Sequence, residues 1–524
     1  MTTTIDESCS FRGLRLYLWP VHRYELKKLL PLLVLFFFVS FGYNVLRTMK
    51  DTIVLYAPNS GAEAIPFLKV WAMFPATLLM TMLFTRLSNR YSREKVTYIL
   101  LSSFLIYFFL FLTIFHPFRE YLEPRGLAEQ LTNIAPEGLR WLILIFRNWT
   151  STSFYVAAEM WSNIVFFVLF WGFANQITRL HEAKRFYGIL GVAANFSGVF
   201  AGEISAYLSG VKFNPAIPYG STQWEQTMLF LVCLVLAAGL IILAIFRWME
   251  VNVLTNPLYY DPVEATAEGK VQGNLSMREA FRYLFRSKYL LFLAVIVISY
   301  NMVINLTEVV WKFEVKELYR NQSDYSAYMN HVSSIIAAIA TFSALVVSGN
   351  AIRKCGWTFT AIITPAILMV TSIGFFSIFF LKTPPEALLF GFSPLMMMVF
   401  MGTSQNIAAR AAKYSVFDAT KEMAFVPLSS ESKINGKAAI DGVCSRLGKT
   451  GGSIIHQVLL ASVATFSNSA PYVAAIILVT IAIWLVAVKI VGTEFTTLVS
   501  TSTRPKGTDN ATTETELLEQ AAIA

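Results

Sequence analysis

Two basic pairs with the same spacing interrupt apolar surroundings: Arg47-Thr48-Met49-Lys50, followed by Asp51, and Arg446-Leu447-Gly448-Lys449. A separation of three residues puts both charges of a pair on one face of a helix. Two carboxylates are similarly isolated, Glu159 in Tyr155-Val156-Ala157-Ala158-Glu159-Met160-Trp161 and Glu308 in Asn305-Leu306-Thr307-Glu308-Val309-Val310-Trp311-Lys312. An ionisable group at the centre of a bilayer costs at least about 2.5–3.5 kcal/mol, so each marks a candidate functional position. Forked guanidinium donors beside mobile ammonium groups suit a ligand rich in phosphate oxygens. The acids then hold the lysines when no ligand is bound, accept hydrogen bonds from a sugar or base, or carry a coupling proton; the residues alone leave these roles open. Tyr155 offers a ring on which a base can stack.

Each group also has a plainer reading. Arg47, Lys50 and Asp51 could sit at the membrane surface, with the basic helix end snorkelling toward headgroups. Arg446 and Lys449 lie among Gly442, Gly448, Gly451 and Gly452, as in a tightly packed helix with its charges in a vestibule. Glu308 is one turn from Lys312 and could make only a local bridge. Lys69 and Glu203 read as gating or inter-helix pairs, and His456 as a packing residue. The Gly448-Lys449-Thr450 run is not a P-loop, since Val443 stands where that loop needs glycine.

The elements that position these groups follow from composition. The chain has 524 residues, 55% hydrophobic and only 14% charged, with a mean hydropathy of +0.55. Soluble domains carry about 25% charged residues, so a water-soluble surface is excluded. The cysteines, Cys9, Cys233, Cys355 and Cys444, show no disulfide or metal spacing. Apolar windows predict spans over 29–50, 64–86, 96–116, 150–177, 187–210 and 226–247, then 289–312, 327–349, 357–381, 388–410, 436–465 and 471–492. The loops on the N-terminal side hold about 25 basic residues and the opposite loops about eight, which predicts cytoplasmic termini. The net charge of +9 follows from that topology and calls for no nucleic acid. Residues 117–149 predict an external amphipathic helix, and 421–437 a charged loop.

The expected fold is an all-α membrane protein of 12 transmembrane helices in two major-facilitator-like six-helix bundles. Its parts are a cytoplasmic segment (1–28), the two bundles (29–247 and 289–492), a cytoplasmic linker (248–288) and a disordered tail (493–524). In that architecture all four charged sites fall on cavity-lining helices. The first 27 residues lack an apolar core with a cleavage site and carry Asp6 and Glu7, so neither a signal nor a transit peptide is expected. A bacterial inner membrane is the expected location.

Longer stretches carry a resemblance. Leu46-Arg47-Thr48-Met49-Lys50-Asp51, Ile65-Pro66-Phe67-Leu68-Lys69-Val70-Trp71, Phe170-Trp171-Gly172-Phe173-Ala174-Asn175-Gln176-Ile177, Ala419-Thr420-Lys421-Glu422-Met423-Ala424-Phe425 and Arg446-Leu447-Gly448-Lys449-Thr450-Gly451-Gly452 resemble the bacterial and plastid ATP/ADP translocases, most of all those of chlamydiae. The resemblance runs from about residue 14 to about residue 495. It implies import of host ATP in exchange for ADP, with phosphate accompanying ADP in some members, by a secondary transporter and not an enzyme, without a cofactor. It also ties transport to Lys50, Glu159, Glu308 and Lys449; Met49 departs from the more usual polar residue. Family members that import nucleotides with protons, or carry NAD, keep a proton-coupled importer as the alternative. For an exchanger, repulsion among Arg47, Lys50, Arg446 and Lys449 is expected to trap the ligand-free form. A monomer is expected.

Overall fold

The computed structural model describes residues 21–255, 287–346, 356–380, 391–428, 432, 436–463 and 465–503. Among them the architecture is helical throughout. The long helices are α1 (Leu26–Leu55), α2 (Ala64–Arg90), α3 (Arg93–Phe115), α4 (Trp149–Ile177), α5 (Leu180–Gly210), α6 (Gln223–Asn252), α7 (Lys288–Leu318), α8 (Gln322–Val346), α9 (Trp357–Phe380), α10 (394–424), α11 (438–463) and α12 (Phe466–Thr503). Nine of them, all but α8, α10 and α11, are long and apolar enough to cross a membrane. The remaining three are of span length but less apolar, because they carry inward polar groups such as Asn330, Gln405, Asn406 and Ser453.

Local chemistry sets several helix starts. Thr222 caps α6 by accepting from the Glu225 amide, Ser287 caps α7 from Leu290, and Ser393 caps α10 from Met396, with Pro394 in the first turn. The apolar core divides in two. One cluster joins α1, α3, α4 and α6 around Phe36, Phe108, Trp161 and Val235; the other joins α7, α9, α10 and α12 around Leu293, Leu368, Phe417 and Trp484. A third, smaller cluster is shared between the halves: Leu55, Ile65 and Phe67 meet Val309, Trp311, Val315 and Tyr325.

Some boundaries differ from expectation. α10 continues to residue 424, so Lys421 to Ala424 are helical and not part of a charged loop. α12 continues to Thr503 because Phe495 stacks on Trp357 and Leu498 packs on the second core. The linker from 256 to 286 and the tail from 504 lie outside the described residues. Residues 117–149 form short helices, Arg119–Leu122, Arg125–Ile134 and Arg140–Arg147, in place of one amphipathic helix. π-Helical turns interrupt α2 at Leu68–Ala72, α3 at Phe111–Phe115, α4 at Trp161–Phe170 and α10 at Lys413–Phe417, and open α11 at Ala438–Cys444.

Candidate functional site

A chain of charges crosses the interior between the halves. Lys50 Nζ lies 3.3 Å from Glu159 and 3.1 Å from Asp51, and 4.0 Å above the Tyr155 ring. The other Asp51 oxygen lies 2.8 Å from Lys312 Nζ. Lys312 in turn contacts Glu308 at 3.0 Å, and Glu308 accepts from Arg410 at 3.3 Å. The order runs α4, α1, α7, α10, alternating in sign at each step. Glu308 is 10 residues from the end of α7, about 15 Å along its axis.

Beside this chain, Arg47, Thr48, Asp51, Glu308, Lys312 and Arg410 line a small pocket, with Trp311, Met329, Val332, Ser333 and Ile336 along its other walls. Arg47 makes no ion pair among the described residues, and the Nε of Arg410 is buried without a hydrogen-bond partner. Lys69, on the π-helical turn of α2, is half-buried, without a direct carboxylate partner, and within electrostatic reach of Glu308, Asp51, Lys312 and Lys50. Cations therefore outnumber carboxylates here. Unpaired charge inside a protein favours a counter-ion, so the surplus suits an anionic ligand.

The structure thus brings together Arg47, Lys50, Tyr155, Glu159 and Glu308. Lys50 and Asp51 are buried within the protein, 6% and 4% exposed, and do not form a solvated helix end. The local bridge from Glu308 to Lys312 exists, but the same carboxylate also holds Arg410 from another helix. Arg446 and Lys449 stand apart on α11, both exposed and without an ion pair among the described residues. Lys449 remains within electrostatic reach of Glu159, Lys413, Glu308 and Arg410. α11 is held there by glycine: a Cβ on Gly448 would meet the Ile298 carbonyl oxygen at 2.6 Å, so only glycine permits this approach to α7. Tyr155 stacks under Lys50, is fully buried and does not line the pocket.

Sequence reasoning missed Arg410 and the bridging role of Asp51 with Lys312. Arg410 fell at the predicted end of a span; the Ala-rich run 408–412 continuing past it was the available signal. Glu203 pairs with His331 of α8 at 3.1 Å, and His456 is buried with Nε2 3.2 Å from the Leu306 carbonyl and its ring edge-on to Phe466. Lys69, expected to gate or to join an inter-helix pair, makes no ion pair among the described residues.

Two helical halves around a charged interior define a polytopic membrane transporter of facilitator-like architecture. Solved structures agree on the fold. A bacterial homologue of the iron transporter ferroportin in an inward-facing state superposes with a TM-score of 0.59 at 11% identity, covering 90% of this chain and 100% of that one. The D-xylose-proton symporter superposes with 0.51 at 14% identity, covering 89% and 97%. The family is set by sequence: residues 4–495 match the TLC ATP/ADP transporters. "ADP,ATP carrier protein 1" of Chlamydia pneumoniae is 42% identical, over 92% of this chain and 94% of its own length. "ADP,ATP carrier protein 1, chloroplastic" of Arabidopsis thaliana is 37% identical, over 90% and 74%. The chain belongs to the TLC ATP/ADP transporter family.

Proposed function

We propose that the protein exchanges ATP for ADP by alternating access, importing ATP across a bacterial inner membrane with both termini in the cytoplasm. The observation that carries this reading is the surplus of interior cations over Asp51, Glu159 and Glu308, in a chain whose relatives are named ADP,ATP carriers. Arg47 and Arg410 flank the cavity and supply forked donors for terminal phosphate oxygens, while Lys50, Lys69 and Lys449 supply point charges along the path. Glu159 and Glu308 hold the cations while no nucleotide is bound. Arg446, exposed on α11, draws the polyanion toward the site.

ATP carries about one more negative charge than ADP, so phosphate moving with ADP would nearly balance the cycle; without it, exchange responds to voltage by about 2.3 kcal/mol per charge per 100 mV. The protein acts as a monomer, since each chain contains the whole charge network.

The test is uptake of α-labelled ATP into proteoliposomes preloaded with ADP, with ADP plus phosphate, or with buffer. Exchange predicts strong uptake only into ADP-containing vesicles, unaffected by a protonophore. Equal uptake into buffer-loaded vesicles that collapses with the protonophore would replace the exchanger by a proton-coupled importer.

A further inference from the structure

One carboxylate in the interior serves both halves. Asp51 is 4% exposed, and its two oxygens are divided between Lys50 of its own helix at 3.1 Å and Lys312 of α7 at 2.8 Å. Among the described residues it is the one carboxylate–lysine bridge between the halves. It lies directly beneath the shared apolar cluster: Leu55 is one turn from Asp51 on α1, and Val309 and Val315 flank Lys312 on α7. Beyond it the segment after α1 meets the end of α7, with Tyr56 donating to the Tyr319 carbonyl and Lys316 donating to the Ser60 carbonyl and lying over the Tyr56 ring. Parting the halves at this end of α1 and α7 would draw the two helices apart at the level of Asp51. That movement strands Asp51 with one lysine and leaves Lys312 with Glu308, which already serves Arg410.

We propose that Asp51 is a tethered stand-in for a substrate phosphate: it latches α1 to α7 when no nucleotide is present, and an incoming polyphosphate releases the latch by taking over Lys50 and Lys312. The chemistry is the same on both sides of the competition, an anionic oxygen accepting from a lysine ammonium. A terminal phosphate in the cavity lined by Arg47 and Arg410 adjoins Lys312, which is one of its walls. A polyphosphate contacts both lysines without crosslinking the helices as tightly as one short aspartate does. Occupancy thereby becomes the condition for reorientation. Asp51 acts through the lysines and is a positioning residue. This inference deepens the exchange reading and rests on a polyphosphate being the ligand.

Asp51→Asn keeps the shape and removes the charge. The reporter is Met329→Cys, at a position 6% exposed beside the seam, in a background with Cys9, Cys233, Cys355 and Cys444 replaced by Ser. A membrane-impermeant thiol reagent is added from the side opposite the termini. In nucleotide-free protein, Asp51→Asn is expected to raise the labelling rate about tenfold, toward the rate that ATP produces in the parent. The ratio of ATP uptake into ADP-loaded over buffer-loaded vesicles is expected to fall toward one, and Asp51→Glu to restore both. Unchanged labelling overturns the latch, whether or not transport survives in the variant. Failure of the exchange reading would show instead in the parent, as ATP uptake indifferent to internal ADP, while the nucleotide-free labelling comparison still decides the role of Asp51.

Discussion

At Glu308 a single carboxylate compensates cations from two helices, Lys312 of α7 and Arg410 of α10. Removing one partner of a buried ion pair costs up to about 3–5 kcal/mol, and less here because the Glu308 side chain is 18% exposed. Glu308→Gln is therefore expected to lower the melting temperature of the detergent-solubilised protein by several degrees. Because phosphate oxygens can supply the missing charge, ATP should raise the melting temperature of the variant more than that of the parent. Equal ATP-induced shifts would remove Glu308 from the binding machinery. The same geometry changes the account of what holds the ligand-free form. From the sequence, repulsion among four cations is the natural trap. In the fold Lys50 already touches Asp51 and Glu159, and under the proposed latch that bridge takes the place of repulsion. The spacing of residues shows which side chains share a helix face, but not which carboxylate from another helix answers them.

Helices α5 and α8 make the most intimate junction between the halves, and small residues make it possible. A Cβ on Gly202 would come within 2.2 Å of the Ser334 hydroxyl and 2.7 Å of the Asn330 carbonyl oxygen. Ser334 donates to the Val199 carbonyl and Ser209 to Ser326 along the same seam. Close backbone approach of this kind drives helix association in a bilayer, where apolar side chains gain nothing by leaving lipid. Gly202→Val must push the helices apart, at about 1–3 kcal/mol for overpacking. A lower melting temperature, with faster labelling of Met329→Cys from the closed side, is the expected result; a variant melting and labelling like the parent would show that the seam does not hold that end shut. Helices such as α1 and α6 were legible in the sequence because their apolar windows are long and unbroken. The π-helical turns were not, since a widened turn depends on what packs against it. They matter for the site: Lys69 and Lys413 sit on such turns, Glu159 precedes one by two residues, and Arg446 follows one by two. The extension of α10 to 424 likewise depends on Phe417 and Ala424 entering the second core, and it is this extension that moves Arg410 from a helix end to an interior position.

At the level of the whole molecule, the contacts between halves gather at the end opposite the termini. α1 meets α7 through Asp51 and Lys312, α2 meets α11 through Trp71, Pro66 and Gln457, and α5 meets α8 through Ser209 and Ser326. Further along α11, toward the termini, Arg446 and Lys449 are exposed, and Lys449 is within electrostatic reach of the interior acids Glu159 and Glu308. The two-halved plan was readable from span spacing; the closure of this end was not, because it depends on pairings such as Trp71 with Gln457 that lie 386 residues apart. That pairing offers a direct check. The Trp71 indole N–H donates to the Gln457 side-chain oxygen at 3.2 Å, and the Gln457 amide donates to the Pro66 carbonyl at 2.9 Å. In the cysteine-free background, Trp71→Cys with Gln457→Cys is expected to crosslink rapidly under mild oxidation in nucleotide-free vesicles, either directly or through a short thiol-reactive spacer. Crosslinked protein should lose ATP/ADP exchange and regain it on reduction, since the closed end can then no longer part. Saturating ATP and ADP on opposite sides should slow the crosslinking, because turnover spends part of each cycle with α2 and α11 separated. If the crosslink forms fully and exchange continues, alternating access cannot involve separation of α2 from α11 at this end, and the opening must run through α1, α5, α7 and α8 alone.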